Sequence, residues 1–300
     1  MTVAANYAVA AIGTETAGSI LSPASQNAVV GLKPTIGVLS RSGIVPISST
    51  LDTPGPMTKN VIDNAILMDA LIGLDTQDTA SKAIKTNYVQ ATLTATLAEK
   101  KIGVLQPFLS DSLYAQAVDN LRTAGATLIE ITPEQIPLPG FLTLLNLDMK
   151  KDLPTYLKTY ASEQVSITSI ADAVAFNTKD TTLHIPYGQQ LFEGILADTT
   201  SVTRFNQIKE TLHTNGKAYF DPHFETHTLD AILSINNFHA AYAAVAQYPA
   251  LTLSMGYTPE GQPKGLTFIG KPFSETLLLE LAASYEKETE HRKIPEGYID

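Results

Sequence analysis

The chain of 300 residues has no cysteine, which excludes disulfides, thiolate metal ligands and a cysteine nucleophile, and leaves the redox compartment open. It also lacks an excess of positive charge. Against 30 Asp and Glu stand 20 Lys and Arg, a net charge of −10, and no basic patch offsets a balance that repels phosphate backbones and anionic membrane surfaces. Neither a nucleic acid nor a membrane is therefore expected as partner. The first residues, MTVAANYAVAAIG, carry no basic leader region, and no window approaches ~18 consecutive apolar residues, so secretion and membrane spanning are not indicated and a cytoplasmic location is the expectation. There is no Gly-rich phosphate loop of either common type, no internal repeat and no long Pro/Gly/Ser linker. What is present is enough apolar side chain to build a core: 44% of residues are hydrophobic and 17% charged. One sheet-centred α/β domain over residues 1–300 is the economical reading.

Val61 to Gly73 places Ile62, Ala65, Ile66, Asp69 and Ala70 at helical spacing and ends on a glycine, so it reads as an amphipathic helix. Lys100–Leu105 and Ala126–Ile131 are short apolar runs separated by Ser112–Gly125, whose Leu113, Ala117, Val118 and Leu121 share one helical face. That order predicts a β-α-β unit and hence parallel strands. From about Phe141 to Asn215 the pattern is helical, with Pro154 expected to interrupt one helix. Strand-like runs return at Asp230–Ile235, Ala250–Gly256 and Gly265–Gly270, and the last is followed by a helix from Ser274, read as its N-cap, to Thr289.

The chemistry-bearing stretch lies near the start. Thr14 to Ile20, TETAGSI, is a run of small and hydroxylated residues in which Gly18 gives the backbone freedom to expose successive N–H groups. If Ser19 ends that turn, its hydroxyl and the neighbouring amides share the small space that acyl transfer asks of a nucleophile and an oxyanion hole, whereas a Gly-Ser pair by itself is an ordinary turn. Further motifs accompany it: Pro23-Ala24, Gly31-Leu32-Lys33-Pro34-Thr35, Ser42-Gly43-Ile44-Val45-Pro46, and Ser49-Thr50-Leu51-Asp52-Thr53-Pro54-Gly55-Pro56-Met57. Towards the end come Tyr248-Pro249-Ala250-Leu251-Thr252, Pro263-Lys264-Gly265-Leu266 and Phe268-Ile269-Gly270-Lys271-Pro272-Phe273-Ser274-Glu275. In this order the motifs resemble the amidase signature family, with the middle third the poorest match.

The resemblance implies a mixed β-sheet surrounded by helices and a Ser-Ser-Lys triad that cleaves carboxylic amides through an acyl-enzyme. It places the nucleophile on Ser19 and the oxyanion donors on the backbone amides of Thr16, Ala17, Gly18 and Ser19. It implies a small-molecule amide as substrate; from the residues themselves no cofactor or metal is expected. The family's Lys base and its relay Ser belong to motifs upstream of the nucleophile, and no Ser or Lys precedes Ser19 here. The chain is therefore expected to be an N-terminally truncated form of the fold, weakly active or inactive alone, with a sheet surface left open to homo-oligomer formation. A non-catalytic remnant or partner-dependent subunit, and the amidating subunit of a tRNA-dependent amidotransferase, are the alternatives. Ala17 stands where the family commonly has Gly, and Leu21 where it commonly has Arg. The motif carrying Lys33 is structural in the family. Asp52 is read as a loop-fixing acceptor, and Ser22, Ser25, Ser40, Ser42, Ser48 and Ser49 as turn and cap residues. A Ser/His/Asp arrangement of Ser19 with His184 or His239 stays open, because triad members need meet only in space. His223 and His227 lack the H-E-x-x-H order of a zinc site. Phe141, Tyr156, Phe176 and Tyr187 are candidates to line a substrate pocket or to pack in the core.

Overall fold

Alternation along the apolar strands decides the layering. Leu251, Leu253, Leu266, Phe268, Ala231 and Leu233 belong to one core cluster, while their neighbours Ala250, Ile269 and Ile232 belong to another, so the strands bury both faces of a sheet. The computed structural model, which describes residues 1–297, shows that sheet as eight strands in the order β1-β3-β2-β7-β8-β6-β4-β5. The strands are β1 (Ala10–Glu15), β2 (Val30–Lys33), β3 (Thr53–Thr58), β4 (Lys101–Leu105), β5 (Thr127–Ile131), β6 (Ala231–Ile235), β7 (Ala250–Tyr257) and β8 (Pro263–Ile269). Pairing is parallel between β4 and its neighbours β5 and β6, and antiparallel elsewhere. The mixed sheet and the parallel β4/β5 pair agree with the reading of the sequence.

Helices clothe both faces. They are α1 (Leu21–Gln26), α2 (Val61–Leu71), α3 (Tyr88–Leu93), α4 (Ser112–Thr123), α5 (Phe141–Tyr160), α6 (Ile170–Asn177), α7 (Thr181–His184), α8 (Gln190–Ala197), α9 (Val202–His227), α10 (Ala240–Ala246) and α11 (Glu275–Thr289). Side chains of α2, α4 and α11, among them Met68, Leu121 and Leu279, fill one face, and those of α1, α9 and α10, among them Leu21, Phe220 and Ala243, fill the other. Among the described residues no helix is long and apolar enough to cross a membrane.

Several expectations are corrected by the coordinates. Helix α2 starts at an Asn60 cap that accepts from the Asp63 amide, as predicted in kind, yet the buried side chains are Val61, Asn64, Ala65 and Met68; Ile62 and Ile66 face outward. The residues Val61, Ala65 and Met68 form an equally good i, i+4, i+7 row, and tertiary packing selects it. Pro154 does not interrupt its helix: α5 runs unbroken from Phe141 to Tyr160, with Leu144 and Leu153 anchored in separate core clusters on either side of the defect. Ser274 stands at the start of α11 without capping it, its hydroxyl making no hydrogen bond. The strands β1, β2 and β3 carry the signature motifs, and Pro54, Gly55 and Pro56 within β3 disguise it as a loop. Strand β2 pairs with β3 only at Val30↔Thr58 and Gly31↔Met57, so a proline at 54 or 56 forfeits no bond on that side. Gly55 is required there, since a Cβ would lie 2.0 Å from the Leu32 carbonyl oxygen.

Candidate active site

Strand β1 ends at Glu15, α1 begins at Leu21, and the turn between them carries every predicted site residue. Gly18 adopts φ +111°, a conformation open chiefly to glycine, and a Cβ there would press to 3.2 Å on Asn237 Nδ2 in the loop before α10. The left-handed step swings the next residue outward. Ser19 is exposed, and neither its hydroxyl nor its amide has a hydrogen-bond partner among the described residues; the same holds for the amide of Ala17. Thr16 and Gly18 are buried and Ala17 half-buried.

Two carboxylates brace this turn. Glu15, 1% exposed, accepts the amides of Ile20 and Leu21 on Oε2 at 2.7 and 2.8 Å, which fixes the entry to α1. Burial pushes its carboxyl above the ordinary range, against the opposing effects of Lys33 and of backbone amides. On the other side Asp52 accepts the Thr16 hydroxyl on Oδ1 at 2.6 Å and the amides of Ile47 and Ser48 on Oδ2, both at 2.8 Å. This is the loop-fixing role read from the sequence. Burial raises the Asp52 carboxyl as well, with the hydrogen bonds opposing. The segment Asp52 holds is anchored in turn on α5: the Ser48 hydroxyl donates to Asp148 at 2.5 Å, and the Ser49 amide to Asp152 at 2.7 Å. Asp148 and Asp152 lie one helical turn apart, so one face of α5 grips successive residues of the loop.

The remaining serines behave as expected of turn and packing residues. Ser25 donates to the Leu21 carbonyl at 2.7 Å and stands 3.1 Å from the Thr252 hydroxyl, and Ser40 donates to Asp75 at 2.5 Å. Lys33 is fully buried; its ammonium nitrogen reaches the Pro34 carbonyl at 3.4 Å and makes no bond to Ser19. Burial lowers its pKa, with Glu15 and Glu275 opposing.

Geometry closes the Ser/His/Asp alternative. Both ring nitrogens of His239 are engaged, Nδ1 with the Ser234 hydroxyl at 2.7 Å and Nε2 with the Tyr219 hydroxyl at 2.8 Å, and burial lowers its pKa to about 4. His184 stacks on Phe176, with Nδ1 at 3.2 Å from the Phe176 carbonyl. Neither reaches Ser19. The Ser234–His239–Tyr219 chain was missed in the sequence, where the only signal was a histidine and a hydroxyl five residues apart. It packs beneath the loop whose Asn237 meets Gly18. Among the described residues no group of three His, Asp or Glu stands close enough together to hold a metal ion.

Two concavities adjoin the motif that holds the turn. One, of about 430 Å³, includes Asp52, Arg41, Ser49, Asp152 and Tyr156 in its walls. Arg41 forks onto Asp78, Nη2 to Oδ1 at 2.6 Å and Nε to Oδ2 at 2.9 Å, which holds the Asp78 carboxyl down to about 2. The other, of about 750 Å³, opens between α5 and the α7–α8 region and is walled by Ile47, Leu142, Met149, Tyr187, Leu191 and Phe192 among others, with no Asp, Glu, Lys or Arg in its lining. Of the four aromatic candidates, Tyr187 lines this larger space and Tyr156 the smaller, Phe141 packs against a core cluster with Leu144, and Phe176 is engaged by His184.

Known proteins are similar to this chain in sequence and fold. The family model described as Amidase matches residues 1–236. A probable amidase of Arabidopsis thaliana is 35% identical over 98% of this chain and 60% of its own length, and a glutamyl-tRNA(Gln) amidotransferase subunit of Methylocella silvestris is 30% identical over 95% and 64%. Among solved structures, an amidase family protein of Bacillus anthracis superposes with a TM-score of 0.91, at 34% identity over 98% of this chain and 60% of its own. A peptide amidase of Stenotrophomonas maltophilia superposes with a TM-score of 0.89, also at 34% identity, over 98% and 65%. The chain thus spans 60 to 65% of the length of these proteins. Since the family model runs through all three motif-bearing strands and the likeness extends over nearly the whole chain, this polypeptide belongs to the amidase family.

Proposed function

We propose that the chain carries the nucleophile and oxyanion cradle of an amide-hydrolysing site. Ser19 Oγ attacks the carbonyl carbon of a carboxylic amide; the C–N bond then breaks, ammonia or an amine leaves with a proton, and water releases the acid from the acyl-Ser19 ester. The amides of Ala17 and Ser19 receive the developing oxyanion, with Thr16 and Gly18 shaping the turn. The observation that carries this reading is the free hydroxyl of Ser19 at an exposed strand-to-helix turn beside two unengaged N–H groups. No lysine, histidine or second serine bonds to Ser19 among the described residues, so its hydroxyl keeps its proton. Positioned general-base catalysis contributes on the order of 10² to 10⁴ in rate, and the chain alone is expected to fall short of a complete amidase by about that factor.

The larger uncharged cavity suits an apolar, uncharged portion of the amide, because Ile47 in its wall is tied through Asp52 to Thr16 in the turn. Among the described residues the outer edge of β1 has no strand beside it, and Val9 and Ile12 are exposed there, which supports association of two copies through that edge. The functional reading is tested by prolonged incubation with a fluorophosphonate at alkaline pH, followed by peptide mapping. Slow modification confined to Ser19, and lost in Ser19→Ala, is expected. Modification of a different serine would remove Ser19 from the reaction, and modification within seconds would show that a base is in place.

A further inference from the structure

We propose that Glu15 is a positioning residue for the Ser19 turn: its buried carboxyl holds the amides of Ile20 and Leu21 and so fixes where Ser19 and the free amide of Ala17 stand. The inference rests on the reading of Ser19 as nucleophile and adds to it the groups that set its geometry. Glu15, Lys33 and Glu275 are 1%, 1% and 2% exposed, and they come from β1, β2 and the start of α11. Charged side chains are almost never buried to this degree without partners. Glu275 is satisfied in part by the Thr35 amide at 2.7 Å. Glu15 places one oxygen on the two amides and leaves Oε1 with no hydrogen-bond partner; Lys33 spends one donor on the Pro34 carbonyl at 3.4 Å. Among the described residues no direct ion pair joins them, but each acts electrostatically against the desolvation of the other, as Glu275 does for Lys33.

A fold with no need of this acid would fill the site with an apolar side chain, since a buried ion pair is rarely more stable than its hydrophobic replacement. What the carboxylate supplies is directional. Helix α1 has only six residues, and its Ile20 cap makes no side-chain bond. Glu15 Oε2 is the acceptor that ties its first amides back to the strand. Without that acceptor the Ile20 and Leu21 amides lose their side-chain partner, while the Thr16–Asp52 bond and the Gly18 conformation remain.

The experiment follows amide hydrogen exchange in peptides spanning residues 14–22, with β4 and β5 as remote controls, together with fluorophosphonate labelling of Ser19. Glu15→Gln keeps an oxygen for the two amides but removes the negative charge that acts on Lys33. It should speed exchange at Ile20 and Leu21 at least tenfold and slow labelling by a similar factor. In Glu15→Gln/Lys33→Met, where no buried ammonium is left without its counter-charge, both should return to within about threefold of the unaltered protein. If the single variant does not fold, the double variant carries the test. Unchanged local exchange in Glu15→Gln would overturn the proposal. So would a double variant that folds but labels no faster than the single, or exchange that rises equally in β4 and β5, which would mark loss of stability alone. An unaltered protein that never labels at Ser19 would instead sink the nucleophile, while the exchange data still judge the hold of Glu15 on the turn.

Discussion

At the scale of single residues, buried polar groups decide what the turn can do, and His239 shows how. Its imidazole is 5% exposed, with both nitrogens bonded and a pKa lowered by burial from 6.5 to about 4. A group whose pKa is depressed on folding stabilises the fold above its unfolded value and loses that contribution as pH falls. The window here is from 6.5 down to about 4, and the loss is at most about 3 kcal/mol. Urea unfolding at pH 7.5 and 4.5 should show this fall for the unaltered protein in excess of that for His239→Phe. Identical pH dependence in the two would mean that the imidazole is not held neutral. The sequence offered His239 as a catalytic candidate; its real partners, Ser234 and Tyr219, were invisible there because the second arrives from α9, twenty residues away. By contrast Asp52 was legible. An acid in a Pro- and Gly-rich loop has few roles other than accepting nearby amides, and it accepts those of Ile47 and Ser48.

Elements were legible where their hydrophobic period was unambiguous and obscure where composition pointed elsewhere. Strands β4 to β8 and helices α4 and α11 emerge from apolar runs that bury both sheet faces or one helix face. Strand β3 did not, because Pro54, Gly55 and Pro56 spell a turn; only its bonding to β1 from Thr53 to Thr58 reveals a strand. Helix α2 was found with the wrong face inward. Four apolar or small positions, Ile62, Ala65, Ile66 and Ala70, made one stripe, while the sheet and α11 select Val61, Ala65 and Met68. Substitution separates the two faces. Met68→Ala, at a fully buried site, should cost about 2–5 kcal/mol in denaturant unfolding, and Ile66→Ala, at a half-exposed one, about 0.5 kcal/mol or less. Equal costs would show that the helix is turned the other way.

For the molecule as a whole, the distant ends of the chain form one wall. Strand β2 pairs with β7 through Gly31↔Thr252 and Lys33↔Ala250, so the opening motifs and the closing ones meet at the centre of the sheet. Their order in the sequence carried the family resemblance; their pairing did not follow from it, since register between segments more than two hundred residues apart leaves no local trace. The sheet ends at β1, whose outer edge has no strand beside it among the described residues. Sedimentation should show mass rising with concentration, and Ile12→Lys, which puts a charge on that edge, should restore the monomer. A monomer at every concentration would exclude pairing there. The cradle at Ser19 is tested most directly by a crystal structure of the phosphonylated protein. The adduct is expected on Ser19 Oγ, with its phosphoryl oxygen about 2.7–3.1 Å from the amide nitrogens of Ala17 and Ser19; a phosphoryl oxygen turned to solvent, or an adduct on another residue, would contradict it.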